Sequence, residues 1–296
     1  MKSSSPAARG RWSVMAELRD SIPPVSVMIF TLNEELHLPS CLASLAWCDD
    51  VIVVDSFSSD RTGEICQDAR VRFFQHPFEG FGSQRNWALE TTAPKYDWVL
   101  ILDADERVTP ELVRELAEVL SAPPPTVGAY RLRRRFHLWG RWLRYSSLYP
   151  TWVVRIVHKE RTRYLNRGHA ETQEVRGEIR ELTGDLIDEN LKGMDEWFER
   201  QNRYSSRDAE YELEQEKKQG PLSLTRLLMG DPLARRAALK RLAGRLPARP
   251  FWYFLYSYLL RGGFRDGRDG LIFCFMKAMY QGMVQVKKYD LKRGRR

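Results

Sequence analysis

Trp98-Val-Leu-Ile-Leu-Asp-Ala-Asp-Glu106 is the stretch on which the reading of this 296-residue chain turns. Its unbroken apolar run predicts a strand buried on both faces, and acids close it. Upstream lie three more strands of that kind: Val25-Ser-Val-Met-Ile-Phe30 behind Pro23-Pro24, Val51-Ile-Val-Val-Asp55, and Val71 to Gln75. Helical spacing fills the gaps. Leu38, Cys41, Leu42 and Leu45 mark a helix over Glu34 to Leu45. A second helix covers about Thr62 to Ala69, with Ser58, Ser59 and Asp60 offering N-cap oxygens, and a third covers about Ser83 to Glu90. Thr109 then caps a helix with Pro110 at its first position. Alternating strands and helices, with strands apolar throughout, predict the α/β class: a mostly parallel sheet flanked by helices.

Sheets of this kind bind ligands beyond the C-terminal ends of their strands. That rule places Thr31 to Glu34, Asp55 to Asp60 and Asp103 to Glu106 on one rim. Residues i and i+2 of an extended chain point to one side. Asp103 and Asp105 are therefore candidate ligands of one hard divalent cation, Mg2+ or Mn2+, which would stabilise the charge on a departing diphosphate. Asp55 can accept hydrogen bonds from the N–H edge of a uracil or cytosine ring, or from a ribose. Asp60 reads as a helix cap. Thr31-Leu32-Asn33-Glu34 holds no glycine, which argues against a dinucleotide site of the Rossmann type. Arg85, in Gln84-Arg85-Asn86 at the start of a helix, is a candidate phosphate or base contact.

Thr31-Leu-Asn-Glu-Glu35, Val53-Val-Asp-Ser56 with Asp60, Gln84-Arg-Asn86 and Leu102-Asp-Ala-Asp-Glu106 together resemble the family 2 glycosyltransferases of the GT-A fold. Bacterial members that build lipopolysaccharide core or other surface polysaccharide are the most similar. The resemblance continues through Tyr149-Pro150, Gly168-His-Ala-Glu171 and Asn202-Arg-Tyr-Ser205, and runs from about Val25 to Tyr289. It implies inverting transfer of a sugar from a nucleotide diphosphate donor, read here as UDP-linked, to a glycolipid or other lipid-linked acceptor. By that resemblance Asp55 holds the base or ribose, Asp103 the ribose and metal, and Asp105 the metal. Thr31, Glu34 and Arg85 complete the candidate donor contacts. Inversion needs a general base for the acceptor hydroxyl. Glu171, in the acceptor half beside His169, is the candidate; Asp185, Asp188 and Glu189 are rivals. His169 is a candidate contact to the metal or the leaving diphosphate. Two departures from the family pattern stand out. Phe57 occupies a position where glycine is usual, and Thr151 follows Tyr149-Pro150 where an acid is common.

Composition bounds the rest. With 43% hydrophobic and 29% charged residues the chain is neither disordered nor fibrous. No apolar run reaches the roughly 20 residues of a membrane-crossing helix, the longest being Phe251 to Leu260, and the first residues lack a secretory apolar region. Cys41, Cys48, Cys66 and Cys274 form no C-x-x-C pair and read as reduced core thiols. The net charge of +8 hides an asymmetry, because residues 221–296 hold 17 Lys and Arg against four Asp. The expected organisation is a disordered polar leader (1–24), a GT-A-like domain (25–220, its nucleotide half about 25–122 and its acceptor half about 126–220), and a basic amphipathic extension (221–296). Leu222, Leu227, Leu228, Leu233, Leu242 and Leu246 recur at helical intervals among arginines, and with Phe251 to Tyr256 and Leu271 to Met276 they suit an anionic membrane surface. The expected location is cytoplasmic, peripheral on the inner face of the cytoplasmic membrane. Three other readings compete. A polyprenyl-phosphate sugar synthase differs only in acceptor. A haloacid-dehalogenase-like phosphatase carries its Asp-x-Asp on the first strand rather than the fourth. A nucleic-acid-binding protein is disfavoured because no recognisable binding motif is present. No oligomeric state follows from the sequence.

Overall fold

A computed structural model of the chain describes residues 22–167, 170–218 and 248–294. Most of the polar leader, residues 219–247 of the amphipathic stretch, and the Gly168-His169 pair lie outside these residues. The chain forms two compact units, one of residues 1–142, 149–166 and 171–191, the other of residues 143–148, 167–170 and 192–296.

The first unit opens with β1 (Ser26–Thr31), α1 (Leu38–Ala43), β2 (Val51–Asp55), α2 (Thr62–Asp68), β3 (Arg72–Gln75), α3 (Phe81–Thr91) and β4 (Trp98–Asp103). The strands pair in parallel in the order β3-β2-β1-β4. Period-two alternation sends their side chains to two cores. Val27, Ile29, Val53, Leu100 and Leu102 pack with Leu38, Cys41 and Leu45. Met28, Ile52, Val54, Val99 and Ile101 pack with Ala88 and Leu89 of α3 on the other side. Burial on both faces is the reason these strands read as continuous apolar runs.

After β4 the chain makes a tight turn at Ala104-Asp105 into a short strand, β5 (Glu106–Val108), and then α4 (Pro110–Ser121). Thr109 caps α4, its Oγ1 accepting from the Leu112 N–H at 3.3 Å. Asp103 thus ends the strand while Asp105 lies in the turn, so the two do not share one extended run and the pleat does not align their carboxylates. That is a correction to the i, i+2 argument, and its cause is the immediate return of the chain into β5.

The sheet continues with β6 (Val127–Leu138), β7 (Arg141–Trp142), β8 (Thr151–His158) and β11 (Glu178–Glu189), in the order β4-β8-β6-β11-β5 with β7 beside β6. Here the pairing is mixed. β8 runs antiparallel to both β4 and β6, β11 runs parallel to β6, and β5 runs antiparallel to β11. The parallel sheet expected from the sequence is its first half. β9 (Thr162–Arg167) and β10 (Ala170–Val175) form a separate two-stranded ribbon. Gly184 allows β11 to lie against α4, since a Cβ there would stand 2.6 Å from the Leu112 Cα.

The second unit holds α5 (Gly193–Lys218), α6 (Arg249–Leu255), a π-helical turn (Tyr256–Leu260), a 3-10 turn (Gly263–Asp266) and α7 (Gly267–Lys292). Lys287 of α7 donates to Asn202 Oδ1, Ser205 Oγ and Ser206 Oγ of α5 at 2.6–2.8 Å, which gives the Asn202-Arg-Tyr-Ser205 stretch a structural use. Asp266 is buried and accepts from the Tyr145 and Ser146 N–H groups at 2.9 and 2.7 Å.

Candidate active site

Two sets of side chains meet at the C-terminal ends of the parallel strands, and their chemistry differs. The first is a platform made from the turns after β1 and β2. Ser56 N–H donates to the Thr31 carbonyl. Asn33 N–H donates to Ser58 Oγ at 2.7 Å, and Ser59 N–H to Asn33 Oδ1 at 2.8 Å. Glu34 N–H reaches Thr62 Oγ1 at 2.8 Å, and Glu35 N–H reaches Asp60 Oδ2 at 3.0 Å. Asp60 also accepts from the Thr62 N–H at 3.0 Å in a local turn, while Arg61, not Asp60, takes the N-cap position of α2. Side-chain oxygens thereby satisfy backbone donors that the two turns would otherwise leave open.

Asp55 is the anchor of that platform. It is 1% exposed and accepts from Thr31 Oγ1 (2.9 Å), the Ser58 N–H (2.9 Å), Ser58 Oγ and Gln75 Nε2 (3.3 Å). Four donors are what a carboxylate can accommodate. Thr31 and Asp55 therefore hold each other and the 56–60 turn. Glu34 is likewise engaged: its Oε2 lies 2.6 Å from His37 Nδ1, while the Leu191 N–H donates to His37 Nε2 at 2.7 Å. That second bond requires the lone pair on Nε2 and puts a proton on Nδ1, facing Glu34. Phe57 sits at φ 61°, in the left-handed region that favours glycine, with its ring exposed. The turn's geometry accounts for glycine as the usual residue there.

The second set is an acid–arginine web. Asp103 Oδ1 accepts from Arg85 Nη2 at 3.2 Å, and Asp103 Oδ2 from Arg155 Nη2 at 2.6 Å. The two guanidiniums are 1% and 3% exposed, whereas the Asp103 side chain keeps 38% of its surface open. Arg155 Nη2 also reaches Glu106 Oε1 at 2.7 Å, and Glu106 Oε2 accepts the Asp103 N–H at 3.1 Å. Burial would raise the Asp103 carboxyl, but Arg155 and Arg85 outweigh it and hold the group below the usual carboxylate range. Glu106, fully buried and beside the Asp103 charge, is pushed up to about 8 in spite of Arg155.

Arg85, expected from its place at the start of a helix to contact a phosphate or base, has another position. It is instead buried under Asp103, with its guanidinium 5.0 Å from the Phe30 ring centroid. The rival bases are committed to cations. Asp185 forms an ion pair with Arg133 and accepts from Arg135 and the Tyr149 hydroxyl, and Asp188 pairs with Arg134. Burial raises and Arg107 lowers Glu189, with a net shift downward, and Glu189 also accepts the Gly140 N–H. Glu171 lies in β10 and its side chain is not among those described; His169 lies outside the described residues. Thr151, at the start of β8, pairs with Arg134 across the sheet.

The sequence places Glu106 on the rim without a role of its own and gives Arg155 none. A signal for Arg155 existed in Thr151-Trp-Val-Val-Arg-Ile-Val157, where one cation interrupts an apolar run. The donor set fits a hard cation. Asp105 is half-buried beside the turn, and each Asp103 oxygen, with one N–H bond apiece, keeps a lone pair. Among the described residues no three His, Cys, Asp or Glu side chains converge as a ready-made metal cluster. One or two carboxylates completed by substrate phosphates is the usual arrangement for Mg2+.

Comparison with known proteins adds the following. The profile of glycosyl transferase family 2 matches residues 26–181. The lipopolysaccharide core biosynthesis glycosyltransferase LpsC of Rhizobium meliloti (strain 1021) is 29% identical over 274 residues, spanning 90% of this chain and 92% of its own. The undecaprenyl-phosphate 4-deoxy-4-formamido-L-arabinose transferase of Pseudomonas paraeruginosa (strain DSM 24068 / PA7) is 31% identical over 140 residues, 40% of this chain and 38% of its own. Among solved structures, S. aureus TarS 1-349 in complex with UDP aligns over 91% of both chains with 16% identity and a TM-score of 0.40. Glucosyl-3-phosphoglycerate synthase from Mycobacterium tuberculosis, in complex with Mn2+, UDP and glucosyl-3-phosphoglycerate, aligns over 45% of this chain and 50% of its own, with 24% identity and a TM-score of 0.34.

Proposed function

The chain belongs to glycosyl transferase family 2 and is a glycosyltransferase, and from that premise we propose that it moves a sugar, with inversion, from a UDP-linked donor to a glycolipid acceptor in lipopolysaccharide or surface polysaccharide synthesis. One observation carries the reading: the 103–106 acid turn stands at the C-terminal end of β4, on the same rim as the stitched platform after β1 and β2.

The platform holds the nucleoside side of the donor, with Thr31 and Asp55 fixing the turn that carries Phe57. Asp103, held ionised by Arg85 and Arg155, turns its open edge to the ribose, and Asp105 is the carboxylate for Mg2+ or Mn2+. The cation supplies positive charge against the departing diphosphate. The acceptor hydroxyl oxygen bonds to the anomeric carbon while the bond from that carbon to the diphosphate oxygen breaks. The hydroxyl proton passes to Glu171. Support for Glu171 comes from its rivals: the carboxylates of Asp185, Asp188 and Glu189 are each paired with a guanidinium, and a carboxylate so engaged is poorly placed to take the acceptor proton.

The acceptor reading includes an anionic membrane surface for the second unit. Leu271, Phe275, Met279, Val286 and Tyr289 are all exposed, and their spacing puts them on one face of α7. Phe251, Trp252, Leu259, Leu260 and Phe264 are exposed in the segments before it, with Arg261, Arg265 and Arg268 close in sequence. Aromatic residues with basic neighbours suit the headgroup boundary of an anionic bilayer. Among the described residues no helix is long and apolar enough to cross a membrane.

The test is a screen of nucleotide sugars for release of nucleoside diphosphate, with membrane lipid extract as acceptor and Mg2+ or Mn2+ present. Release that depends on donor, acceptor and metal is expected. No release from any donor would overturn the reading. The similarity to an undecaprenyl-phosphate sugar transferase keeps a second acceptor class in view, and a polyprenyl-phosphate arm of the same screen separates the two.

A further inference from the structure

Arg155 has no role in the reading from sequence, yet it closes a ring around the acid turn. Its Nη2 bridges Asp103 Oδ2 at 2.6 Å and Glu106 Oε1 at 2.7 Å, and Glu106 Oε2 takes the Asp103 N–H at 3.1 Å. The ring spans the turn that carries Asp105. The cause lies in the backbone. β6 and β8 pair as Tyr130 with Ile156, then Arg131 with Val154, so Arg155 is an extra residue with no partner in the β6 ladder. Side-chain parity agrees: Val157 and Val154, three apart, pack on the same core, where an unbroken strand would send them to opposite faces. Pairing of β8 with β4 also ends at Ile156. A bulge of this sort re-aims a side chain, and bulges are frequent beside active sites.

We infer that Arg155 is a positioning residue for sugar transfer: carried on the β8 bulge, it fixes the Asp103 carboxylate and the 103–106 turn so that donor and cation meet a preset edge. Of the acid turn Arg85 reaches Asp103 Oδ1, its guanidinium also donating to the Phe81 carbonyl and lying over the Phe30 ring; Arg155 joins both ends of the turn. A lysine in its place keeps the charge, but its shorter reach and flexible stem do not hold an ammonium where the rigid guanidinium sets the Nη2 that makes both bonds. The inference deepens the proposed function and rests on it.

The experiment first finds which nucleoside diphosphate among UDP, CDP and GDP the wild-type protein binds with Mn2+, by calorimetry. It then compares R155K, R155M and the double variant R155M/E106Q, the last removing the second buried acid together with the arginine. Thermal melting controls for folding. Partners one step removed from a metal ligand typically contribute about 10–100-fold in metal affinity or activity. R155K is expected to weaken Mn2+-dependent nucleotide binding by about that factor, to raise the Mn2+ concentration for half-maximal transfer, and to leave the acceptor KM unchanged. A purely structural role would lower kcat with the folded fraction and move neither the metal nor the nucleotide dependence. R155K that binds and transfers like wild type, or loses only folded protein, overturns the inference. If R155M fails to fold, R155K and the double variant decide. A wild-type protein that binds no nucleotide and transfers no sugar defeats the proposed function itself, a result distinct from failure of the Arg155 assignment.

Discussion

The two ends of the parallel strands each carry an aspartate with a depressed titration range, and they are built for opposite ends. At the N-terminal end, Asp50 precedes β2 and is 4% exposed. It accepts from Ser26 Oγ, from the Lys95 N–H at 2.8 Å and from Arg72 Nη1 at 2.9 Å. Burial would raise its carboxyl, but these donors outweigh it and lower it. Its partners are two neutral donors and one half-exposed cation, and nothing is left facing water. At the C-terminal end, Asp103 has two cations buried beneath it and an open edge of 38%. A closed carboxylate with neutral donors joins strands. An open carboxylate held from beneath by buried guanidiniums keeps an edge for a further partner. The same side chain thus serves stability or binding according to which face is left open.

The sharpest way to break this contrast is Asp105→Asn. Losing charge stabilisation at a reacting group typically lowers turnover by about 10²–10³-fold, and that loss is expected here with the melting curve unchanged. Full turnover in this variant would remove the cation from the account. Asp103→Ala comes next, because it leaves buried guanidiniums without their carboxylate, a change of about 3–5 kcal/mol. Urea unfolding should show that loss together with lost activity; an intact melting curve would mean the web is not tightly coupled.

Asp50→Ala sharpens the other side. It should cost about 1–3 kcal/mol through unsatisfied donors, while each folded molecule keeps wild-type transfer rates. A changed kcat per folded molecule would show that the two ends communicate. The same residue sets a pH signature. Because its folded value is lowered, its stabilisation is complete above the ordinary carboxylate range, near about pH 4, and is lost as pH falls through the folded value. Acid unfolding followed from pH 6 downward should therefore be less steep in Asp50→Ala than in wild type. The smallest effect belongs to Phe57→Gly. Relief of a left-handed backbone, roughly 1–2 kcal/mol, is offset by glycine's larger entropy loss, roughly 0.5–1 kcal/mol. Unfolding stability should shift by about 1 kcal/mol or less, and a large loss would show that the ring is packed rather than exposed.

Much of the first half of the sheet was legible because its signals are local. Val25 to Phe30, Val51 to Asp55 and Trp98 to Leu102 are apolar because both their faces are covered, and that leaves a pattern in consecutive residues. Thr109-Pro110 was readable as a helix start because a cap acts within a few positions. β5, three residues long, and β11, whose Glu178 to Thr183 segment mixes charged residues with Ile179 and Leu182, leave no such unbroken run. Arg85 was recognised as notable, but its burial was not, because a helix start looks the same from sequence whether it faces a ligand or an aspartate beneath it.

What the amino-acid order determined by itself is the alternation of strands and helices, and with it which turns share one rim; periodicity and capping act over short distances and so are written in neighbouring residues. Only the tertiary structure decided what surrounds the acids of that rim. Arg155 meets Asp103 across 52 positions through a bulge and an antiparallel pairing, and side-chain partners across a sheet depend on register, which no local pattern records.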